Sequence, residues 1–147
     1  MTVLSIEGIQ LQATAVDKAD AIRQAGQLLV KTGCVEPAYV EGMLAREEIM
    51  STYLGNGVSI PHGQNENRVQ IHRTGISVLQ LPQGVTWEDG ELAYLVIAIA
   101  ASSDEHVGVL ANLAEVIEDE DLTGQLIHTD DPLLILENLG REQAQEV

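Results

Sequence analysis

His62 lies between a proline and a glycine, directly after a short apolar run, in Val58-Ser59-Ile60-Pro61-His62-Gly63. Pro61 fixes its own φ and offers no N–H, so a strand over residues 58–60 ends there. The imidazole is left just past a strand's carboxyl end, on a stiff segment with little bulk beside it. His106 has a related setting. A second apolar run ends at Ala101, Ser102-Ser103-Asp104 supplies helix caps, and His106 falls in the first turn of the helix that follows. Free N–H groups and partial positive charge at that turn attract phosphate and disfavour the imidazolium. A neutral imidazole keeps the lone pair needed to attack phosphorus or to hydrogen-bond a phosphoryl group. In open α/β sheets, sites gather outside the carboxyl ends of the strands. If the two strands run the same way, the two rings converge. Arg46, at the border of a helix's apolar stripe, is a candidate cation beside them. Such a set fits phosphoryl transfer through a phosphohistidine. The same residues also read as a surface turn histidine and a solvated helix arginine paired with Glu47, Glu48 or an aspartate elsewhere, and spacing alone does not separate the two readings.

Other chemistries find no footing. There is no Walker loop to cradle a nucleotide, no cysteine pair or His-x-x-x-His helix for zinc, and no nucleophile elbow for a serine triad. The acidic run Glu118-Asp119-Glu120-Asp121 lacks the glycine and the spaced ligands of a calcium loop and reads as a solvated helix end. His72 and His128 sit in polar or helix-end contexts and read as surface residues.

The elements that must position these groups follow from patterning. Residues 9–13 alternate as a half-buried strand does. Asp17 caps a helix over 19–31 that Gly33 stops, and Pro37 opens a second helix carrying Val40, Met43, Leu44 and Glu47 along its sides. Gly55 and Gly57 mark a turn. Residues 64–73 read as a loop and 74–81 as a strand. Pro82-Gln83-Gly84 reads as a turn, 85–87 as a short edge segment containing a packing tryptophan, and Glu88-Asp89-Gly90 as another turn. Residues 92–101 are almost unbroken in hydrophobicity, the signature of a central strand covered on both faces. In the helix after it, Val107, Leu110, Ala111, Ala114 and Ile117 are expected to face inward. Two short helices, over 122–127 and 133–139, close the pattern. Pro132 starts the last and Gly140 ends it, and mobile final residues are expected.

Size and charge bound the rest. A chain of 147 residues with 45% hydrophobic side chains forms one domain with a core, here without phenylalanine. Seven basic against 23 acidic side chains argue against a nucleic-acid partner. Cys34 is the single cysteine, which excludes an internal disulfide and suits a reducing compartment; it reads as a buried small hydrophobe in a helix-to-helix link. No signal peptide and no bilayer-length apolar run is evident, so a soluble cytoplasmic protein without membrane insertion is expected.

Ala45-Arg46-Glu47-Glu48 and Thr52-Tyr53-Leu54-Gly55-Asn56-Gly57-Val58-Ser59-Ile60-Pro61-His62-Gly63 resemble the IIA component of the mannitol/fructose family of the phosphoenolpyruvate-dependent sugar phosphotransferase system. Leu95-Val96-Ile97-Ala98-Ile99-Ala100-Ala101 with Asp104-Glu105-His106, and Gly33-Cys34-Val35-Glu36-Pro37-Ala38-Tyr39-Val40, resemble the same family, in order, over residues 9–139. Tyr53-Leu54 resembles its mannitol branch. The resemblance implies an α/β sandwich, a central mixed sheet with helices on both faces, as a single domain over residues 1–147. It implies that His62 takes a phosphoryl group from the phosphohistidine of HPr and passes it to a cysteine of a IIB component, in uptake of mannitol or a related polyol. His106 then contacts the phosphoryl group and Arg46 balances its charge, with no cofactor or metal. A regulatory module, whose phosphorylation state a partner reads, is the alternative.

Overall fold

The computed structural model describes residues 3–140, apart from residue 102 and the side chains of residues 103–107. Five strands form one mixed sheet: β1 (Ile9–Gln10), β2 (Tyr53–Gly55), β3 (Val58–Ser59), β4 (Gly75–Glu88) and β5 (Glu91–Ala100), in the order β1-β4-β5-β3-β2. Among the described residues five α-helices accompany them: α1 (Lys18–Lys31), α2 (Ala38–Ile49), α3 (Ser103–Glu118), α4 (Glu120–His128) and α5 (Pro132–Leu139). The middle strand is β5, as its continuous apolar run requires. Its odd and even residues divide between two cores. Val96, Ala98 and Ala100 join Ala21, Ile22, Leu29 and Met43 of α1 and α2. Leu95, Ile97 and Ile99 join Leu113, Val116, Leu126 and Ile135 of α3, α4 and α5. The result is the expected sandwich with helices on both faces.

Local chemistry accounts for the element ends. The Asp17 carboxylate accepts from the Asp20 N–H at 2.8 Å and caps α1. Pro37 precedes α2, Pro132 opens α5, and Gly140 follows α5. Asn56 and Gly57 both have positive φ, 53° and 81°, the twist a two-residue hairpin needs between β2 and β3. Asp89 and Gly90, at 49° and 83°, do the same between β4 and β5.

Several expectations need correction. The first strand stops at Gln10, because Gln12 enters the left-handed region at φ 55°. Residues 65–70, read as loop, form a 3-10 helix. Pro82-Gln83-Gly84 is no turn and residues 85–87 no separate edge segment. β4 runs through both, and the slack is taken up where its register with β5 shifts between Gln80 and Val85. A bulge tolerates proline where a regular rung does not. In α3, Ala111 and Ala114 are exposed, while Asn112, Leu113, Val116 and Ile117 are buried. The bulkier side chains took the inward face. The side chain of Val107 and all of residues 141–147 lie outside the described residues. The acidic run straddles the α3–α4 junction, where Asp119 caps α4 by accepting from the Leu122 N–H at 3.1 Å.

Candidate active site

β3 and β5 are parallel, with Val58 beside Leu95 and Ser59 beside Val96. The strands that precede His62 and His106 therefore run the same way, and their carboxyl ends open on one side of the sheet. Beyond β3 the pairing continues to an isolated parallel bridge between His62 and Ile99, where the Ile99 N–H donates to the Pro61 carbonyl at 3.0 Å. Pro61 is buried and His62 half-buried.

The ring of His62 is held by its own strand. Nδ1 lies 2.8 Å from the Ile60 carbonyl oxygen. A carbonyl only accepts, so Nδ1 carries the proton and the lone pair of the neutral ring sits on Nε2. The Ile60 N–H in turn donates to the Thr52 carbonyl at 3.0 Å. A cavity of about 560 Å³ opens at this point. His62, Gly63, Tyr39, Arg46, Arg68, Ile49, Met50 and Ala101 are among its lining residues. His62 and Arg46 thus share one cavity, and Ala101 brings the exit of β5 to it. His106 lies in the first turn of α3, which starts at Ser103; its side chain is outside the described residues.

Arg46 makes no bond to Glu47. Its Nη1 donates to the Met50 carbonyl at 2.6 Å, covering the carboxyl end of α2. Glu47 turns the opposite way into the protein and is 5% exposed. Its carboxylate accepts from the Thr52 hydroxyl at 2.5 Å, the Thr52 N–H at 3.1 Å and the Trp87 indole N–H at 2.9 Å. Lys18 Nζ stands 3.6 Å away. This cluster ties α2 to the chain entering β2, and so sets where Arg46 and the Thr52 carbonyl stand. Trp87 is a packing residue, as expected, with one polar tether.

Tyr39 was not singled out from sequence. Its phenol donates to the Ile99 carbonyl at 2.8 Å and accepts from the Gly63 N–H at 2.9 Å. Burial pushes its ionisation above the usual tyrosine range, while the bond from Gly63 works in the opposite direction. At neutral pH it is a protonated donor. Arg68 is the second arginine on the cavity wall, and its Nε donates to the Asn65 carbonyl at 3.3 Å. It emerges from a polar stretch that carried no periodic signal. Glu47 did carry one, a carboxylate seven residues after Val40 on an otherwise apolar face. His72 and His128 are exposed, and His72 faces Glu36 at 3.8 Å. Cys34 is 2% exposed.

Known proteins resemble this chain in sequence and in fold. Over 126 residues, 86% of the chain, it is 51% identical to the multiphosphoryl transfer protein of Escherichia coli O157:H7, but the matched part is only 34% of that protein. This chain therefore spans about a third of that relative's length. The crystal structure of IIA mannitol from Escherichia coli superposes with a TM-score of 0.86 at 42% identity, covering 93% of this chain and 99% of that one. The complex of enzyme IIA-Mtl with phosphorylated enzyme IIB-Mtl from Escherichia coli matches with a TM-score of 0.87 at 41% identity, covering 92% of this chain and 96% of the other. Residues 2–140 match the family described as phosphoenolpyruvate-dependent sugar phosphotransferase system, EIIA 2. With this coverage and the β3–β5 geometry behind it, the chain belongs to the EIIA type 2 family of the phosphoenolpyruvate-dependent sugar phosphotransferase system.

Proposed function

We propose that this chain is a phosphocarrier that works as one domain in the cytoplasm, taking a phosphoryl group from phospho-HPr and giving it to a cysteine of a IIB component for mannitol or a related polyol. The observation that carries the proposal is the His62 ring. Nδ1–H is committed to the Ile60 carbonyl, so Nε2 is the nucleophilic atom, beside a cavity with two arginines on its wall. The Nε2 lone pair forms the new N–P bond as the donor's N–P bond breaks, and the donor imidazole leaves with its electron pair. In the second step a thiolate of IIB attacks phosphorus, and His62 departs as the neutral ring. Neither step needs covalent help from other residues. Position and charge stabilisation do the work. Arg46 is the charge-balancing cation: it leaves the Met50 carbonyl for the phosphoryl oxygens. His106, at the start of α3, hydrogen-bonds the phosphoryl group without carrying it. The solved complex of a relative with phosphorylated IIB supports the acceptor.

The test is reconstitution with phosphoenolpyruvate, enzyme I and HPr. An acid-labile phosphate is expected on His62, and none in His62→Ala. His106→Ala is expected to accept label and to discharge it slowly. Labelled protein then meets a mannitol-type IIB. Failure to discharge to any IIB would replace the transport role with a regulatory one, in which a partner reads the phosphorylation state. Absence of label on His62 would end both readings.

A further inference from the structure

The bond between Tyr39 and the His62 segment has an unusual place in the sheet. In a parallel ladder that reaches the His62–Ile99 bridge, the rung after Ile99 N–H to Pro61 carbonyl is Gly63 N–H to Ile99 carbonyl. Here the phenol oxygen of Tyr39, from the first turn of α2, bonds to both of those groups. It accepts from Gly63 at 2.9 Å and donates to Ile99 at 2.8 Å. Tyr39 is 3% exposed, so the linkage is shielded from competing water. A Cβ on Gly63 would meet Cε1 of the ring at 2.7 Å, which shows how closely the ring lies against the backbone beside His62.

We propose that Tyr39 is a positioning residue for phosphoryl transfer: its hydroxyl clamps both groups of the last rung between the His62 segment and β5, fixes the chain after His62 and so aims the imidazole into the cavity. The inference rests on the carrier reading above for its kinetic consequence, and on geometry alone for the aim of the ring. Both outward paths from the ladder depend on it. Gly63 follows His62 directly, and Ile99 lies two residues before Ala101 on the cavity wall. Without the hydroxyl, the last rung loses the donor and the acceptor that fix it, and the chain after His62 can shift and carry the ring from its bond with Ile60.

Tyr39→Phe removes one atom and tests this. Transfer from phospho-HPr is expected to fall about tenfold in rate constant, with little change in KM for the donor, as displacement of a reacting group predicts. Ile22→Val, which trims the same core far from the cavity, is expected to transfer at the wild-type rate. Nitrogen-15 spectra of the His62 ring are expected to show the Nδ1–H tautomer in wild type and a mixture in Tyr39→Phe. Gly63→Ala, which disturbs the linkage from the other side, is expected to give the same spectral change. A Tyr39→Phe rate within about twofold of wild type, an equal loss in Ile22→Val, or unchanged ring shifts in both site variants would overturn the proposal. If wild-type protein takes no phosphate at all, the carrier reading fails, and the ring spectra alone decide the role of Tyr39.

Discussion

Removing the Glu47 carboxylate should cost more stability than any exposed substitution on α2. The carboxylate satisfies three donors: the Thr52 N–H, the Thr52 hydroxyl and the Trp87 indole N–H, on residues 5% and 3% exposed. Glu47→Ala leaves the two N–H groups buried and unpaired, at about 1–3 kcal/mol each, so a loss of roughly 4 kcal/mol is expected. The Lys18 ion pair adds under about 1 kcal/mol, since that ammonium is partly exposed and screened. Glu47→Gln keeps the shape. Its carbonyl can accept both N–H groups and its amide can donate to the rotatable Thr52 hydroxyl. Only charge assistance is lost, and the cost falls to roughly 1–2 kcal/mol. For a chain of 147 residues, about 3 °C of melting temperature corresponds to each kcal/mol. The series wild type, Gln, Ala should therefore descend by about 5 °C and then a further 7 °C or so in calorimetry. Urea titration should give the same order with unchanged m-values. Glu48→Ala, on the exposed side, is the control and should stay within about 0.5 kcal/mol. If Glu47→Ala lost no more than Glu48→Ala, or Gln fell as far as Ala, the buried cluster would not be what joins α2 to β2.

Three further outcomes follow from the same kind of reading. Ser59 is fully buried and its hydroxyl makes no hydrogen bond, so Ser59→Ala should raise stability by about 1 kcal/mol in urea titration. Gly26→Ala sets helix propensity, worth about 1 kcal/mol, against a Cβ placed 2.9 Å from Val40 Cγ2 and 3.3 Å from Met43 Sδ. Overpacking wins there, because both contacts lie on α2, and the variant should melt lower. The raised ionisation of Tyr39 means that the folded state holds that proton more tightly than the unfolded chain. Its stabilising effect is complete below the unfolded pKa of about 10 and is lost as pH rises towards the folded value. Stability of Tyr39→Phe should consequently decline less steeply than wild type above that pH, measured by urea titration at stepped alkaline pH.

Strong local signals carried most of the architecture. A ten-residue apolar run has only one stable home, the middle of a two-sided sheet, so β5 was plain from residues 92–101. Caps at Asp17 and Pro37 and the Asn56-Gly57 turn are decided by backbone chemistry within a few residues, and they stand where patterning puts them. What escaped depends on distant partners. Pro82 ends a strand on local grounds, yet here a register shift against β5 absorbs it. The inward face of α3 was ambiguous because alanines and larger aliphatics alternate around it, and packing selects the larger. For Arg46 spacing left a site cation and a partner of a neighbouring glutamate both open, because it could not show that Thr52 and Trp87, five and forty residues downstream, draw Glu47 away. The cavity residues His62 and Arg46 were legible because a strand end and a helix border place them. Tyr39 was not, since its partners at Gly63 and Ile99 come together only in the finished sheet.

The outermost strands of the sheet are very short: two residues in β1 and three in β2, the latter with irregular pairing. Stubs of that length offer almost no open row of N–H and carbonyl groups for a foreign chain to extend. On the proposed carrier reading, a protein that meets two partners in turn and releases each benefits from this. Neither outer strand is long enough to template a lasting strand-to-strand association, which leaves the cavity beside His62 as the surface on which a transient encounter can act.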